Sequence, residues 1–428
     1  MISVQNHQRP LNGNRFLILL IFSILGHQFS FAQTNDDDDD VAPTVVKVEN
    51  PYQYLDSIST ANKSIYNIAF ILPIIKNNIK LGDGKNTQTT MPYETREALG
   101  FWEGVNLAMG KVRNLKSKFN IHIWDNMKDD STTINIINQL KRNKIDAVVA
   151  PFHTKQAVLV SEYCKKNRIP MFLVQNPSDI PAKDNPFAFK FHVPKNRLFY
   201  EYYNKITTDI SEANSKIYFI YDATNKSERK VYNYLKFMAE KDGTNRILPI
   251  EYKTENTIGY NFKENIDSNV KNIFLISYHQ DNTINEITTA LKDLNNTNIQ
   301  LFVQGSVTKN HKINKANLAL FNSYAYSDFH LTKGNESQEY IKKMYFNKTN
   351  DNIVSDVFLG YDVVNYITEL FDRYGVKFPL SIDKYKHVGV SSNFLFRPQY
   401  DAKGNILFFE NMSKYFLKLT EDGWYKVD

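Results

Sequence analysis

The chain has 428 residues, of which 42% are hydrophobic and 14% aromatic, so it has enough apolar material for packed cores and is not an intrinsically disordered protein. Its net charge of +6 comes from lysines that are scattered among acidic residues rather than gathered in one stripe, which argues against a nucleic-acid-binding protein. The single cysteine, Cys164, excludes an internal disulfide framework, so stability must come from packing.

Residues 1–32 have the pattern of a cleavable signal peptide. Arg15 precedes the apolar run Phe16–Leu25, and the triplet Ser30-Phe31-Ala32 predicts cleavage before Gln33. The apolar run is about ten residues long, whereas a membrane-spanning helix needs about 20, so an uncleaved anchor is the weaker alternative. No cysteine for lipid attachment stands near this point. We therefore expect a periplasmic or secreted protein with no membrane span after cleavage.

Residues 33–65 form a predicted acidic and polar linker. They include the run Asp36–Asp40, whose mutual repulsion favours an extended and solvated chain. A bare run of aspartates would bind calcium only weakly, so we interpret this segment as a spacer.

From residue 66 onward, short β-branched and aromatic runs alternate with segments of helical period, the pattern of a mostly parallel α/β sheet. The clearest helical period runs from Ala98 to Val112. A further apolar run, residues 187–193, predicts the passage to a second lobe. The predicted strands of the first lobe cover residues 67–72, 119–124, 145–150 and 169–174.

The same alternation then begins again and predicts a second lobe. Its predicted strands cover residues 216–221, 246–252, 272–277 and 299–303, with helices at 228–240, near Phe262 and at 282–294. Two later helical segments, 336–346 and 357–374, require a sheet against which to pack their apolar faces, and we place them on the first lobe. The first lobe is thus predicted to comprise 66–193 with 327–385, and the second 194–326 with 386–428. Alternating strands around the turn Asp401–Asn405 predict a small antiparallel C-terminal appendage.

Five segments carry the pattern of a known family, namely Ile68–Pro73, Ala98–Ala108, Ile123–Asp125, Asp146–Phe152 and Arg168–Val174. They resemble the type I periplasmic ligand-binding proteins of the leucine/isoleucine/valine type, especially a divergent branch common in Bacteroidota. The resemblance covers residues 66–374 and is strongest up to Val193. It implies a periplasmic binding protein-like I fold, in which two Rossmann-like lobes with parallel sheets enclose a ligand cleft.

The carboxyl ends of parallel strands bring polar loops and helix N-termini together, which favours small anionic or zwitterionic ligands at that edge. Under the resemblance, the side chains that follow these strands are the candidate ligand contacts. They are His153, Thr154, Gln175, Asn176 and Ser178 in the first lobe, and Asp222, Asn225, Tyr278, His279, Gln304 and Ser306 in the second. The alternative is that they are ordinary turn and helix-cap residues, since Asn, Asp and Ser favour such positions.

Motifs for catalysis and for metals are missing from the sequence. Residues Gly82–Thr87 lack the spacing of a phosphate loop, and Gly305-Ser306 lacks the flanking glycines of a nucleophile elbow. The histidines are dispersed, without the spacing of metal ligands. We therefore predict no catalytic residue, no metal and no cofactor, and we do not expect an enzyme.

Two functions remain open. The first is an exported solute-binding protein that captures a small polar, amino acid-like ligand for transport or sensing, with an ABC permease or a sensor as its partner. The second is a ligand-free scaffold or regulator of cell-envelope or peptidoglycan machinery that uses the same fold.

Overall fold

The computed structural model describes residues 50–58, 62–80, 91–176, 178–209, 215–243, 247–252, 262, 266–267, 269–294 and 298–427. The predicted signal peptide, the loop Gly82–Thr87 and most of the helix predicted near Phe262 lie outside these residues. Within the described part of the chain, no helix combines the length and the hydropathy that crossing a membrane requires.

The described strands are β1 (Ile65–Leu72), β2 (Lys118–Asp125), β3 (Ala147–Val149), β4 (Met171–Leu173), β5 (Ala188–Lys190), β6 (Ser215–Tyr221), β7 (Ile247–Glu251), β8 (Lys271–Ile276), β9 (Ile299–Gln304), β10 (Tyr324–Ser327), β11 (His387–Val388), β12 (Asn393–Phe394), β13 (Phe396–Tyr400), β14 (Ile406–Asn411), β15 (Tyr415–Thr420) and β16 (Gly423–Lys426). The described α-helices are α1 (Tyr93–Val112), α2 (Asp130–Arg142), α3 (Thr154–Asn167), α4 (Lys195–Asp209), α5 (Lys226–Asp242), α6 (Asp281–Lys292), α7 (Gly305–Lys309), α8 (Lys315–Ala319), α9 (Glu336–Thr349) and α10 (Ser355–Tyr374).

The first lobe is built on a seven-stranded sheet with the strand order β13-β14-β5-β4-β3-β1-β2. Strands β1 to β5 and β14 run parallel, and β13 pairs antiparallel with β14. Helices α1 and α10 cover one face, and α2 and α3 cover the other. Because both faces are covered, the strands read as continuous apolar runs, and residues 68–72 of β1 are each 0% exposed.

The second lobe repeats this plan with the strand order β16-β15-β10-β9-β8-β6-β7. Strands β6 to β10 run parallel, and β15 and β16 are antiparallel to their neighbours. Helices α4 and α5 pack on one face, and α6 and α8 on the other. The predicted α/β fold with two mostly parallel sheets is therefore confirmed.

Helix α4 is an element that the sequence did not predict. Phe199, Tyr202, Tyr203 and Ile206 recur at helical spacing and are buried against the second sheet. Aromatic residues favour strands by propensity, so the composition of this segment hides its helical period. Burial of the aromatic face against the sheet decides the conformation.

The C-terminal segment divides between the two lobes. The sequence places 386–428 on the second lobe, whereas β13 and β14 join the first sheet, and β15 and β16 join the second. Phe409 of β14 lies beside Phe189 of β5, with ring centroids 4.9 Å apart, and both are buried. The antiparallel C-terminal strands are confirmed, but residues 386–411 belong with the first lobe. Alternation along a strand predicts its faces, not the sheet edge that it joins.

The end of the predicted linker packs onto the first lobe. A short 3₁₀-helix covers Gln53–Ser57, and Leu55 is 1% exposed. The Tyr52 hydroxyl donates a hydrogen bond of 2.5 Å to the carbonyl of Pro186, and its ring lies edge-on to Phe187. These residues are part of the first-lobe core rather than a solvated spacer.

Helices α1 and α10 contact each other backbone to backbone. A Cβ atom at Gly104 would lie 1.9 Å from the carbonyl oxygen of Val357, and one at Gly360 would lie 1.9 Å from that of Phe101. Real Cβ atoms do not approach backbone so closely, so a side chain at either glycine would force the helices apart.

We predict that Gly104→Ala or Gly360→Ala lowers the free energy of unfolding by about 3 kcal/mol or more, because a packed helix pair must separate. The matched control is Gly110→Ala on the same helix, where a Cβ would meet nothing within 4 Å. That substitution is expected to raise stability by about 0.5–1 kcal/mol, since alanine is the better helix former. Urea unfolding followed by circular dichroism measures all three, and equal stabilities would contradict the backbone contact.

Candidate functional site

The described chain passes between the two lobes at three places, after β5, β10 and β14. These crossing segments cover residues 191–194, 328–335 and 412–414. Each follows the end of a strand, so the crossings share one region with the carboxyl ends of the parallel strands. In open α/β sheets this is the edge where ligands bind.

A cavity of about 620 Å³ lies between the lobes at the crossings. This volume lies within the range of small-molecule sites. The first lobe contributes the starts of α1 and α10 and the segments after β4 and β5, and the second contributes those after β9 and β10. The lining residues are Tyr93, Glu97, Val174, Gln175, Phe191, His192, Val193, Lys195, Leu198, Gln304, Gly305, Ser306, Lys309, Asn310, Tyr326, Ser327, Asp328, Phe329, Ser355, Asp356, Leu359, Ser392, Phe394, Asn411 and Lys414.

Three candidate residues from the sequence line this cavity, namely Gln175, Gln304 and Ser306. Gln175 follows β4, and its Nε2 donates a hydrogen bond of 2.6 Å to Oδ1 of Asp356. Gln304 ends β9, and its side-chain amide donates to the carbonyl of Ser277. Ser306 lies in the first turn of α7 and is exposed towards the cavity.

The other first-lobe candidates gather beside the cavity rather than in its lining. His153 Nε2 lies 3.3 Å from the carboxylate of Glu94. Thr154 Oγ1 lies 3.3 Å from Oδ1 of Asn176, which also accepts a bond of 3.1 Å from the backbone N–H of Ser178. Asn176 is fully buried, and its Nδ2 has no partner among the described residues. Thr154, Asn176 and Ser178 form a polar network at the ends of β3 and β4, and the neighbouring His153 pairs with Glu94 instead.

The second-lobe candidates Asp222 and Asn225 organise the turn before α5. Oδ1 of Asp222 accepts a hydrogen bond of 2.8 Å from the backbone N–H of Thr224. Oδ1 of Asn225 accepts one of 2.9 Å from the N–H of Ser227 and caps the helix. Neither residue belongs to the cavity lining.

Tyr278 and His279 follow β8 and also lie outside the lining. Tyr278 is buried, and its hydroxyl donates to the carbonyl of Tyr252. His279 lies near Lys195, which does line the cavity, and desolvation together with that positive charge lowers the pKa of His279. A ligand role for the candidates outside the lining stays a prediction.

Two carboxylates that the sequence analysis did not single out line the first-lobe wall. Burial raises the pKa of Asp356, although the bond from Gln175 and the charge of Lys309 oppose this effect. Burial also raises the pKa of Glu97, and the charge of Asp356 adds to the increase. The Tyr93 hydroxyl donates to Glu97, which raises the pKa of Tyr93 to about 12.

An acid and a base from different crossings meet in the cavity. His192 Nδ1 lies 3.5 Å from Oδ2 of Asp328, so the first and second crossings contact each other through these side chains. Burial raises the pKa of Asp328, but the hydrogen bond with His192 and the charge of Lys309 outweigh it and hold the pKa well below its usual range. The ammonium of Lys309 lies over the ring of Phe329, 4.2 Å from the centroid.

The arrangement offers hydrogen bonds and charges to a small molecule. Both lobes contribute, and carboxylate, ammonium, amide, hydroxyl and aromatic groups all line one cavity. Among the residues that the structure describes, no group of three or more His, Cys, Asp or Glu side chains is placed to hold a metal ion.

Solved ABC transporter proteins share this fold. A proposed branched-chain amino acid ABC transporter from Rhodospirillum rubrum is 12% identical, with a TM-score of 0.63 over 85% of this chain and 100% of that one. An ABC-type branched-chain amino acid transporter from Rhodopseudomonas palustris is 12% identical, with a TM-score of 0.57 over 85% and 95% of the two chains. An ABC transporter substrate-binding protein from Desulfitobacterium hafniense, solved in complex with Leu, is 14% identical, with a TM-score of 0.52 over 85% and 100%.

These similarities confirm the type I periplasmic binding protein fold that the sequence resemblance predicted. At such low identity they establish the fold alone. No protein-family model matches the chain, and no curated protein sequence matches it.

We predict that Asp356→Asn and Glu97→Gln each raise the stability of the ligand-free protein at pH 7 by about 0.5–1 kcal/mol. Their folded-state pKa values are raised, so each charge costs stability as pH rises from the unfolded-state pKa through the folded-state pKa. Urea unfolding at pH 7 and pH 3 tests this, because the gain should vanish at pH 3, where the carboxyls are protonated in both states.

Glu103→Gln is the matched control for this pair. Glu103 lies on α1 outside the cavity lining and pairs with Lys348. Removing it is expected to give no gain at either pH. A loss of stability in both cavity variants at pH 7 would contradict the prediction.

Proposed function

We propose that this chain is a non-enzymatic solute-binding protein, which captures a small polar, amino acid-like ligand in the interlobe cavity for transport or sensing. The observation that carries the proposal is the position of the cavity, which lies between the two lobes and at all three described crossings. A ligand in this cavity contacts both lobes next to the crossing segments, about which the lobes would rotate.

The mechanism follows from that position. Rotation of the lobes about the crossing segments opens and closes the cleft, and the short segments 191–194 and 412–414 limit the motion to a hinge. A ligand that contacts both walls binds the closed state more tightly than the open one and shifts the population towards closure. Closure changes the outer surface, which a permease or a sensor can recognise.

The polar groups of the two walls support a small polar ligand. On the first lobe, Gln175 and Asp356 are already joined by a hydrogen bond and present a combined donor and acceptor surface. On the second lobe, Ser306 and Lys309 offer a hydroxyl and an ammonium. Such a set can hold ammonium and carboxylate groups at opposite ends of one molecule.

The relatives in fold and the predicted signal peptide support the same proposal. The Desulfitobacterium hafniense protein is described as a substrate-binding protein in complex with Leu. A periplasmic location would place this chain where such proteins meet their permeases. We therefore propose an ABC permease or a sensor as the partner.

Native mass spectrometry of the gently purified protein tests the proposal directly. A small molecule that co-purifies appears as a discrete mass lost on denaturation, and that mass also identifies the ligand. A mass that stays ligand-free after screening against metabolite pools would reject the solute-binding function and favour the scaffold of cell-envelope machinery.

We predict that Ser306→Trp weakens the affinity for the co-purifying ligand by about 10–100-fold, because the indole takes up space in the cavity and clashes with a bound ligand. Ser337→Trp is the matched control, since Ser337 is also an exposed serine at the second position of a helix, but outside the cavity lining. Calorimetry measures the affinities, and solution scattering should show ligand-induced compaction for the wild type and the control. Unchanged binding by Ser306→Trp would place the ligand elsewhere.

A further inference from the structure

Most basic groups that line the cavity already have an acidic partner. Lys195 and Lys414 form ion pairs of 2.9 and 3.0 Å with glutamates of the second lobe. His192 lies 3.5 Å from Asp328. The two lysines are largely neutralised within the protein, so they contribute little net charge to a ligand.

The remaining charged side chains of the lining have more negative than positive charge. Among the described residues, Glu97, Asp356 and Lys309 have no ion-pair partner within 4.0 Å, which leaves two carboxylates against one ammonium. Two partly desolvated carboxylates that share the charge of one ammonium are unfavourable, and a bound cation would relieve the cost. The excess negative charge lies on the first-lobe wall, where α1 and α10 begin.

The cavity also has aromatic walls that suit an ammonium group. Tyr93 stands beside Glu97, lines the cavity and is 70% exposed. Phe191 and Phe394 line another part, edge to face, with centroids 4.8 Å apart. The protein's own Lys309 already lies over a phenylalanine ring of this cavity. Aromatic faces attract ammonium groups, and rings of this kind also pack against methylene chains.

We propose that the ligand is a small amine of net positive charge, resembling a basic amino acid, whose ammonium group is bound between Glu97 and Asp356. This inference rests on the proposed function, because it takes the interlobe cavity as the ligand site. Lys309 of the second lobe receives the acidic group of the ligand.

The test is calorimetry on the full chain, unfolded and refolded to remove any co-purified molecule, with four probes. Lysine, Nε-acetyl-lysine and norleucine share a similar length but differ at the end of the side chain, and glutamate carries the opposite charge. Lysine is expected to bind at least about 10-fold more tightly than each of the other three.

Equal affinities, or a preference for norleucine or glutamate, would overturn the inference and leave the solute-binding function standing. Lack of binding by lysine would also overturn it. The native mass spectrum then decides the proposed function separately, because a co-purifying neutral or acidic molecule supports a solute-binding protein whatever the outcome with lysine.

Two variants locate the ammonium group. Glu97→Gln and Asp356→Asn are each expected to weaken lysine binding about 10-fold or more, and to leave norleucine binding unchanged. Glu103→Gln, outside the cavity lining, is expected to bind both like the wild type. Circular dichroism verifies that each variant is folded. Folded variants that keep wild-type affinity for lysine would refute the placement of the ammonium.

Discussion

The backbone contact between α1 and α10 fixes the geometry of the cavity wall. Gly104 and Gly360 allow the two helices to touch, and Gly100 extends the contact towards their starts, where an added Cβ would lie 3.3 Å from Cβ of Asp356. Glu97 precedes Gly100 by three residues, about one helical turn. The close approach that packs the first-lobe core therefore also brings Glu97 and Asp356 to the same wall.

This arrangement has an energetic cost that the rest of the lobe must offset. Burial raises the pKa of both carboxyls, and the charge of Asp356 adds to the increase at Glu97, so neither charge stabilises the ligand-free fold at neutral pH. The adjoining core is rich in compensating contacts, because Tyr366, Ile367 and Leu370 of α10 are each 0% exposed. Proteins break local rules of this kind mainly at functional sites, where stability is traded for binding.

Much of the fold could be predicted from the sequence because its signals are local. The buried strand β1 and the periodic helix α1 can be recognised from the sequence alone, without any knowledge of tertiary contacts. The sheet edge that β14 joins was not predictable, since it depends on a pairing with β5 more than 200 residues earlier in the chain. Helix α4 was also not predicted, because its aromatic residues have a propensity for strands. They form a helix because their buried face packs on the second sheet.

The candidate site shows the same division between local and distant signals. Gln175, Gln304 and Ser306 line the cavity because they lie at or just beyond the carboxyl ends of strands, and the carboxyl-end rule finds such positions. Glu97 lies near the start of α1 and Asp356 in the first turn of α10, where acidic residues are ordinary because they favour the helix dipole. Only the contact between α1 and α10 shows that these two carboxylates lie on the same cavity wall.

Contacts within the first lobe hold the segment that follows β3. The ring of Phe152 packs edge-on against Phe101, with centroids 5.6 Å apart, and His153 is engaged by Glu94. The segment after β3, where the family resemblance places ligand contacts, is thus held by contacts within the first lobe. The cavity that both lobes line lies nearer the crossings. Under the proposed function, the side chains at the crossings, more than the loops that the family resemblance points to, would select the ligand.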